Sequence, residues 1–267
     1  MTNIGELSDL TGRRALITGA TGELGKVFSE TLGELGADLI LVDRPGSDFN
    51  SLIDLLAHHR VSNVMHYSCD LEIQEQRNEL VAKMNSAELG LDILINNAAF
   101  VGTSDLLGWN VPFEQQSIET WRRALEVNLT AVFDLCQGLF PLLRESEDAS
   151  IVNIASIYGV LGPDWKLYEG TNMNNPAAYA ASKGGLVQLT RWLSTTLAPE
   201  VRVNAISPGG IFRNQPDEFV KRYEARTPLR RMATEDDFRG AISYLASRQS
   251  RYVTGQILQV DGGWGAW

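Results

Sequence analysis

The chain has 267 residues, of which 44% are hydrophobic and 21% charged, enough to bury a sizeable core in one large domain or two small ones. Its 23 basic against 33 acidic residues give a formal charge of −10, which argues against nucleic acid or an anionic membrane surface as the partner. No apolar stretch approaches the ~20 residues of a membrane span, and the N-terminal MTNIGELSDLTGRRAL has no basic-then-apolar leader. Cys69 follows an apolar strand-like run and Cys136 sits in a helical one, so both read as buried thiols and the expected setting is a reducing cytoplasm. Together with His58, His59 and His66 they assemble no metal-ligand spacing, and no metal is expected.

In chain order, short apolar runs alternate with stretches of helical period. Strands are predicted over 15–18, 37–42, 61–67, 93–96, 150–155, 201–207 and 256–260. Helices are predicted over 24–35, 52–59, 74–87, 118–143, 177–197 and 235–247. This rhythm of βαβ units predicts an α/β fold over 1–267: a single doubly wound Rossmann domain, its mostly parallel seven-stranded sheet covered by helices on both faces. Two segments break the rhythm, 101–117 and 157–175. Both follow strand carboxyl ends, where open α/β sheets bind ligands.

The first strand runs into Thr18-Gly19-Ala20-Thr21-Gly22-Glu23-Leu24-Gly25 and then a helix. Glycines there let the backbone approach a pyrophosphate while helix N-terminal amides point at it. The second strand ends in Asp43, 18 residues past Gly25, where a dinucleotide fold places the acid for the ribose hydroxyls. A carboxylate repels a 2′-phosphate, so NAD is expected over NADP. Arg44 is the complication, because its guanidinium could pair with that phosphate.

With these motifs and those that follow, the chain resembles the short-chain dehydrogenase/reductase family over nearly its whole length. Asp70-Leu71 matches the adenine-packing pair, Asn96-Asn97-Ala98-Ala99 the signature after the fourth strand, and Pro208-Gly209 the turn after the sixth. Asp261-Gly262-Gly263 matches the closing motif. Asn128, Ser156 and the Tyr179-x-x-x-Lys183 pair match the catalytic residues. The resemblance implies cofactor contacts from Gly19, Thr21, Gly22, Glu23, Leu24, Gly25, Asp43, Arg44, Asp70, Leu71, Asn97, Ala98, Ala99, Pro208, Gly209 and Ile211. It adds contacts from Tyr179 and Lys183. It also implies that Lys183 binds the nicotinamide ribose, that Ser156 holds the reacting oxygen, and that Asn128 holds a water linking Lys183 to solvent. Tyr179 and Lys183 lie one helical turn apart on one face. A tyrosine with pKa of about 10 is a poor base near neutrality, and a neighbouring ammonium would favour its phenolate.

Three departures point to the substrate. The glycine spacing is Thr-Gly-x-x-Gly-x-x-Gly, similar to the nucleotide-sugar-modifying branch of the family. Ser156 and Tyr179 are 23 apart, wider than in the family's shorter members. Arg213 stands where the family often has a threonine for the carboxamide. Trp109, Trp165, Tyr168, Glu169 and Arg213 are the candidate substrate residues, and their aromatic and hydrogen-bonding mix suits a polyhydroxylated ring. Asn175, before Pro176, reads as the cap of the next helix. The whole chain is similar to bacterial oxidoreductases of flagellin modification and surface-polysaccharide biosynthesis.

The expected function is an NAD(H)-dependent oxidoreductase of a sugar or sugar nucleotide. The alternatives are a 3-oxoacyl-carrier-protein reductase and a catalytically silent NAD-binding regulator. Trp121, Phe133, Leu186 and Trp192 on the two long helices, with Trp264 and Trp267 at the end, predict a homo-oligomer, a tetramer or dimer.

Overall fold

The computed structural model describes residues 3–59, 61–87, 90–101 and 104–267, so residues 102 and 103 of the expected 101–117 loop lie outside it. Strands β1 (Arg14–Thr18), β2 (Asp38–Asp43), β3 (Val64–Ser68), β4 (Ile93–Asn96), β5 (Ala149–Ile154), β6 (Val201–Pro208) and β7 (Ile257–Val260) form one sheet. Their order is β3-β2-β1-β4-β5-β6-β7. Every pairing is parallel, which sharpens the expected mostly parallel sheet. The chain reverses direction across the sheet between β1 and β4, opening a crevice at their carboxyl ends.

Helices α1 (Ile4–Ser8), α2 (Glu23–Glu34), α3 (Phe49–Leu56), α4 (Gln74–Ser86), α5 (Ile118–Leu125), α6 (Ala131–Leu143), α7 (Ala177–Thr196), α8 (Asp217–Arg226) and α9 (Arg239–Ala246) complete the fold. Phe28, Leu32, Leu52, Ile242 and Leu245 from α2, α3 and α9 bury one sheet face. Leu80, Leu135, Leu139, Leu186 and Leu193 from α4, α6 and α7 bury the other. Covered on both sides, β1, β4 and β5 can be mostly apolar, which makes them readable in the sequence.

Several boundaries differ from the pattern-based expectation. α3 starts at Phe49 because the Asp48 carboxylate accepts the Ser51 amide at 3.1 Å. β3 starts at Val64, since Val61 is spent packing against Gly33 of α2. The predicted helix over 118–143 is α5 and α6 joined by a π turn, Glu126–Thr130. The predicted 235–247 helix opens as a 3-10 turn, Glu235–Phe238, before α9. Helices α1 and α8 were not anticipated. α8 is mostly polar and buries Phe219 and Tyr223, four apart.

Arg77 of α4 is buried at the junction of these parts. Its Nε donates to Asp134 at 2.6 Å, Nη2 pairs with Glu126 at 2.7 Å, and Nη1 donates to the Leu71 carbonyl at 2.6 Å. One guanidinium thus ties α4 to α6, to the π turn and to the Leu71 loop. Arg77→Ala should destabilise the protein by about 2 kcal/mol in urea unfolding, on the low side for a buried pair because both carboxylates reach water. An unchanged unfolding midpoint would show that the cluster carries no stability.

Candidate active site

The site is built at the carboxyl end of β1. Thr18 Oγ1 accepts the amides of Asn97 at 3.0 Å and Ala98 at 3.1 Å, and the Asn97 side chain donates to the carbonyls of Thr18 and Gly19 at 3.0 Å each. This lock joins β1 to the segment after β4. A Cβ on Gly19 would lie 2.9 Å from the Ala98 backbone, and its φ of +63° is left-handed, so only glycine suits the position. A Cβ on Gly25 would meet the Gly19 carbonyl at 2.0 Å, so Gly25 lets α2 sit directly on the turn and makes no cleft surface itself. Gly22 caps α2 without a side chain, leaving the first-turn amides for an anion.

Asp43 ends β2 beside this turn. One carboxylate oxygen accepts from the amide and hydroxyl of Thr21 at 2.9 and 2.7 Å. The other accepts from the Arg44 amide at 2.8 Å and the Ser47 hydroxyl at 3.2 Å. Four donors use the carboxylate's ordinary capacity. Two of them are rotatable hydroxyls, which can yield to the hydroxyls of a ribose.

Ser156 follows β5, and its Oγ accepts the Tyr158 amide at 3.2 Å. Tyr179 and Lys183 lie one turn apart on α7. Lys183 is buried, its Nζ donates to the Ile154 carbonyl at 2.6 Å, and it stands 5.9 Å from the Tyr179 ring centre. Burial drops the Lys183 ammonium from the usual lysine range to about 7. Burial also raises the Tyr179 phenol, against a hydrogen bond from Ser156 and the charge of Arg213. The ammonium expected to drive Tyr179 toward phenolate is therefore itself close to discharging at neutral pH.

Asn128 sits in the π turn, fully buried and away from the cleft surface. Its Oδ1 accepts the Phe100 amide at 2.7 Å, and its Nδ2 donates to the Phe100 carbonyl and the Ser182 hydroxyl, both at 3.0 Å. Ser182 in turn donates to the Tyr179 carbonyl at 2.9 Å. Both amide hydrogens of Asn128 are thus spent on protein, so its side chain positions the loop and α7. The expected water between Lys183 and solvent would have to be held by another group than these two hydrogens.

A cleft of about 840 Å³ joins these groups. Gly19, Thr21, Gly22, Glu23, Leu24, Asp43 and Arg44 line one end, with Asp70 and Leu71. Asn97, Ala98 and Ala99 after β4 line it next, and Ser156, Tyr168, Tyr179, Lys183, Pro208, Gly209, Ile211 and Arg213 line it towards β5 and β6. Phe100, Tyr158, Asn174, Phe219 and Tyr223 line it too, none of them a sequence candidate, and so does Asn175, expected only as a helix cap. Their one legible signal is the apolar pair of α8. The cysteine thiols are inert, burial pushing Cys69 up to about 11 and Cys136 to about 12. Among the described residues there is no metal-binding cluster and no helix long and apolar enough to cross a membrane.

Four expectations are corrected here. Trp109 is buried, its indole donating to the Val101 carbonyl at 2.8 Å, so it pins its loop and faces no ligand. Trp165 is 54% exposed and tilts against Tyr168 outside the cleft. Glu169 is exposed and does not line the cleft, and its carbonyl accepts from Arg222. Asn175 does not cap α7: Pro176 does, and the free Ala177 amide donates to Gln116 Oε1 at 3.0 Å.

The 157–175 insertion is clamped to α8. Arg222 also donates to the Lys166 and Leu167 carbonyls at 3.3 Å, and Arg226 pairs with Asp164 at 3.5 Å. Trp264, expected at the surface, is buried by stacking on Tyr223 at 4.4 Å, whereas Trp267 is exposed.

A family model described as enoyl-(acyl carrier protein) reductase matches residues 19–265. The chain is 31% identical over 261 residues to the 3-oxoacyl-[acyl-carrier-protein] reductase of Thermotoga maritima, covering 95% of this chain and 98% of that protein. It is similar in structure to a short-chain dehydrogenase of Leptospira borgpetersenii with bound NAD+, at TM-score 0.83 and 32% identity, over 99% of this chain and 96% of that one. A gluconate 5-dehydrogenase of Burkholderia cenocepacia in complex with NADP and tartrate gives TM-score 0.85 at 26% identity, over 99% and 100% of the two chains.

The buried lysine has a measurable consequence in the ligand-free protein. The Lys183 pKa falls from 10.5 to about 7 on folding. The unfolded chain therefore binds more protons above pH 7, and the lysine's penalty is full below pH 7 and fades toward pH 10.5. Lys183→Met should be more stable than wild type at pH 7 by on the order of 1 kcal/mol, after the lost bond to Ile154. That gain should shrink by pH 9.5 in urea unfolding. A gain independent of pH would show that the ammonium carries no burial penalty.

Proposed function

This chain belongs to the short-chain dehydrogenase/reductase family, as an oxidoreductase acting on CH–OH groups with NAD(P), and we propose that it is an NAD(H)-preferring enzyme interconverting a secondary alcohol and ketone on a sugar or sugar derivative. The observation that carries this reading is one cleft with Asp43 at one end and Ser156, Tyr179 and Lys183 at the other.

When bound, the dinucleotide would supply or accept the hydride. Asp43 takes the adenosine ribose hydroxyls, Leu71 packs the adenine, and the open amino end of α2 takes the pyrophosphate. Ser156 Oγ orients the reacting oxygen, and the Tyr179 hydroxyl gives or takes its proton. Lys183 holds the nearby ribose. With that partner added to the Ile154 carbonyl, Lys183 would keep its ammonium against burial and favour the Tyr179 phenolate.

A polyhydroxylated substrate is supported by the groups beside Tyr179. The Tyr158 and Tyr168 hydroxyls bond each other at 2.7 Å, and both tyrosines line the cleft with Asn174 and Asn175. The Burkholderia relative is named for a polyhydroxy acid. The runner-up, reduction of a 3-oxoacyl carrier protein, is favoured by the Thermotoga relative. A formal charge of −10 suits an acidic carrier poorly, and Asp43 suits NADPH poorly. An intact Ser156, Tyr179 and Lys183 set opposes a silent NAD-binding regulator. Ile118, Phe133 and Trp192 are exposed on α5, α6 and α7, which supports a homo-oligomer through these helices. Leu186 turns into its own core and adds nothing to that face.

Assayed on a panel of keto sugars, the wild type should turn over with NADH in preference to NADPH. Asp43→Ser should cut the NADH preference at least about tenfold, the worth of one charged hydrogen bond. Arg44 then pairs with the 2′-phosphate. Equal use of both cofactors by the wild type would contradict the assignment of Asp43, and turnover of only 3-oxoacyl thioesters would favour the runner-up.

A further inference from the structure

Arg213 is held more rigidly than a surface arginine needs to be. Ile211 forms a bridge with Ala233, and the Phe212 amide donates to the Ala233 carbonyl at 2.8 Å. The Gln215 side chain accepts the Arg213 amide at 2.7 Å and donates to the Ile211 carbonyl at 2.8 Å. Asn214 closes the turn in the left-handed region, with φ of +56°. The guanidinium is fixed as well, because its Nε donates to Glu235 at 3.0 Å. Glu235 stands in the 3-10 turn capped by Thr234 and Asp237, and Asp237 takes both ends of Arg231 at 2.6 Å.

Glu235 uses only the Nε. Among the described residues Nη1 and Nη2 have no hydrogen-bond partner, although Arg213 lines the cleft that holds Tyr179. The Arg213 charge is felt at the Tyr179 hydroxyl, which places it at the reacting end. Two parallel N–H groups on a fixed plane match the paired oxygens of a carboxylate or phosphate. The cofactor's pyrophosphate has its own seat at the amino end of α2, so this fork remains for the other reactant.

We infer that Arg213 is the receptor for an oxyanion on the substrate, so that the enzyme acts on a sugar acid or sugar phosphate in preference to a neutral sugar. The inference rests on the oxidoreductase reading above and narrows its substrate class. The remaining hydroxyls have readers in the Tyr158–Tyr168 pair and Asn175, whose Nδ2 lies 3.5 Å from the Tyr168 hydroxyl. The cleft of about 840 Å³ must hold cofactor and substrate together. That space suits a single anionic sugar better than a second nucleotide.

The test is calorimetric titration of the NADH-loaded protein with five- and six-carbon aldonates, the matching neutral alditols and the matching sugar phosphates. The tighter of the two anionic series should exceed its neutral counterpart at least about tenfold, and which series it is identifies carboxylate or phosphate. In Arg213→Gln that ratio should fall toward one while NADH affinity stays within about twofold. Arg213→Lys should recover only part of the ratio, since it restores charge without the fork. Equal affinity for charged and neutral ligands, or no binding of any anion, would overturn the inference. So would Arg213→Gln weakening NADH instead, which would make Arg213 a clamp on the cofactor's phosphates. Turnover of neutral sugars with no preference for charge would leave the oxidoreductase reading standing and remove only this one.

Discussion

The lock between Thr18 and Asn97 is the contact on which the rest of the site depends. It fixes the end of β1 against the segment after β4, where the strand order reverses and the crevice opens. Gly19 is pressed against Ala98 by that lock, which leaves no room for a side chain and sets the turn into α2. In the other direction the segment reaches Phe100, whose amide and carbonyl are both held by Asn128. Asn128 continues through Ser182 to the Tyr179 backbone. One chain of hydrogen bonds thus runs from the cofactor turn to the helix bearing the tyrosine and lysine. The π turn belongs to this chain, because it aims Asn128 inward from an otherwise regular rod.

Burial sets the electrostatic state of the reacting groups. The protein places an ammonium and a phenol in a low-dielectric cleft and offers the ammonium one carbonyl. Without further partners both groups drift toward their neutral forms, Lys183 downward and Tyr179 upward. In the proposed complex, a cofactor ribose beside Lys183 would offset that burial and favour the charge that Tyr179 needs. On that reading, cofactor binding and proton transfer would be coupled through Lys183.

The fold was legible because double-sided burial makes the strands short, mainly apolar runs between helical periods. The motifs were legible because each serves a backbone requirement: Gly19 a left-handed turn, Gly25 a close approach, Asn97 a lock. The substrate end was less so. Trp109 and Trp165 look like recognition residues in one dimension, but one is consumed by its own loop and the other faces outward. The groups that do line that end, Tyr158, Phe219 and Tyr223, depend on α8, a helix too polar to show a clear period. Its docking to the insertion through Arg222 joins residues 53 to 56 apart in sequence, which no local pattern encodes.

The central claim is that Tyr179 transfers the proton of an alcohol–ketone interconversion in this cleft. It is tested most directly by comparing Tyr179→Phe with wild type in turnover and in NADH titration. Tyr179→Phe should lose about 10²–10⁴-fold in kcat with NADH affinity nearly unchanged, the worth of a positioned acid–base group. Retention of more than about a tenth of wild-type kcat would contradict it.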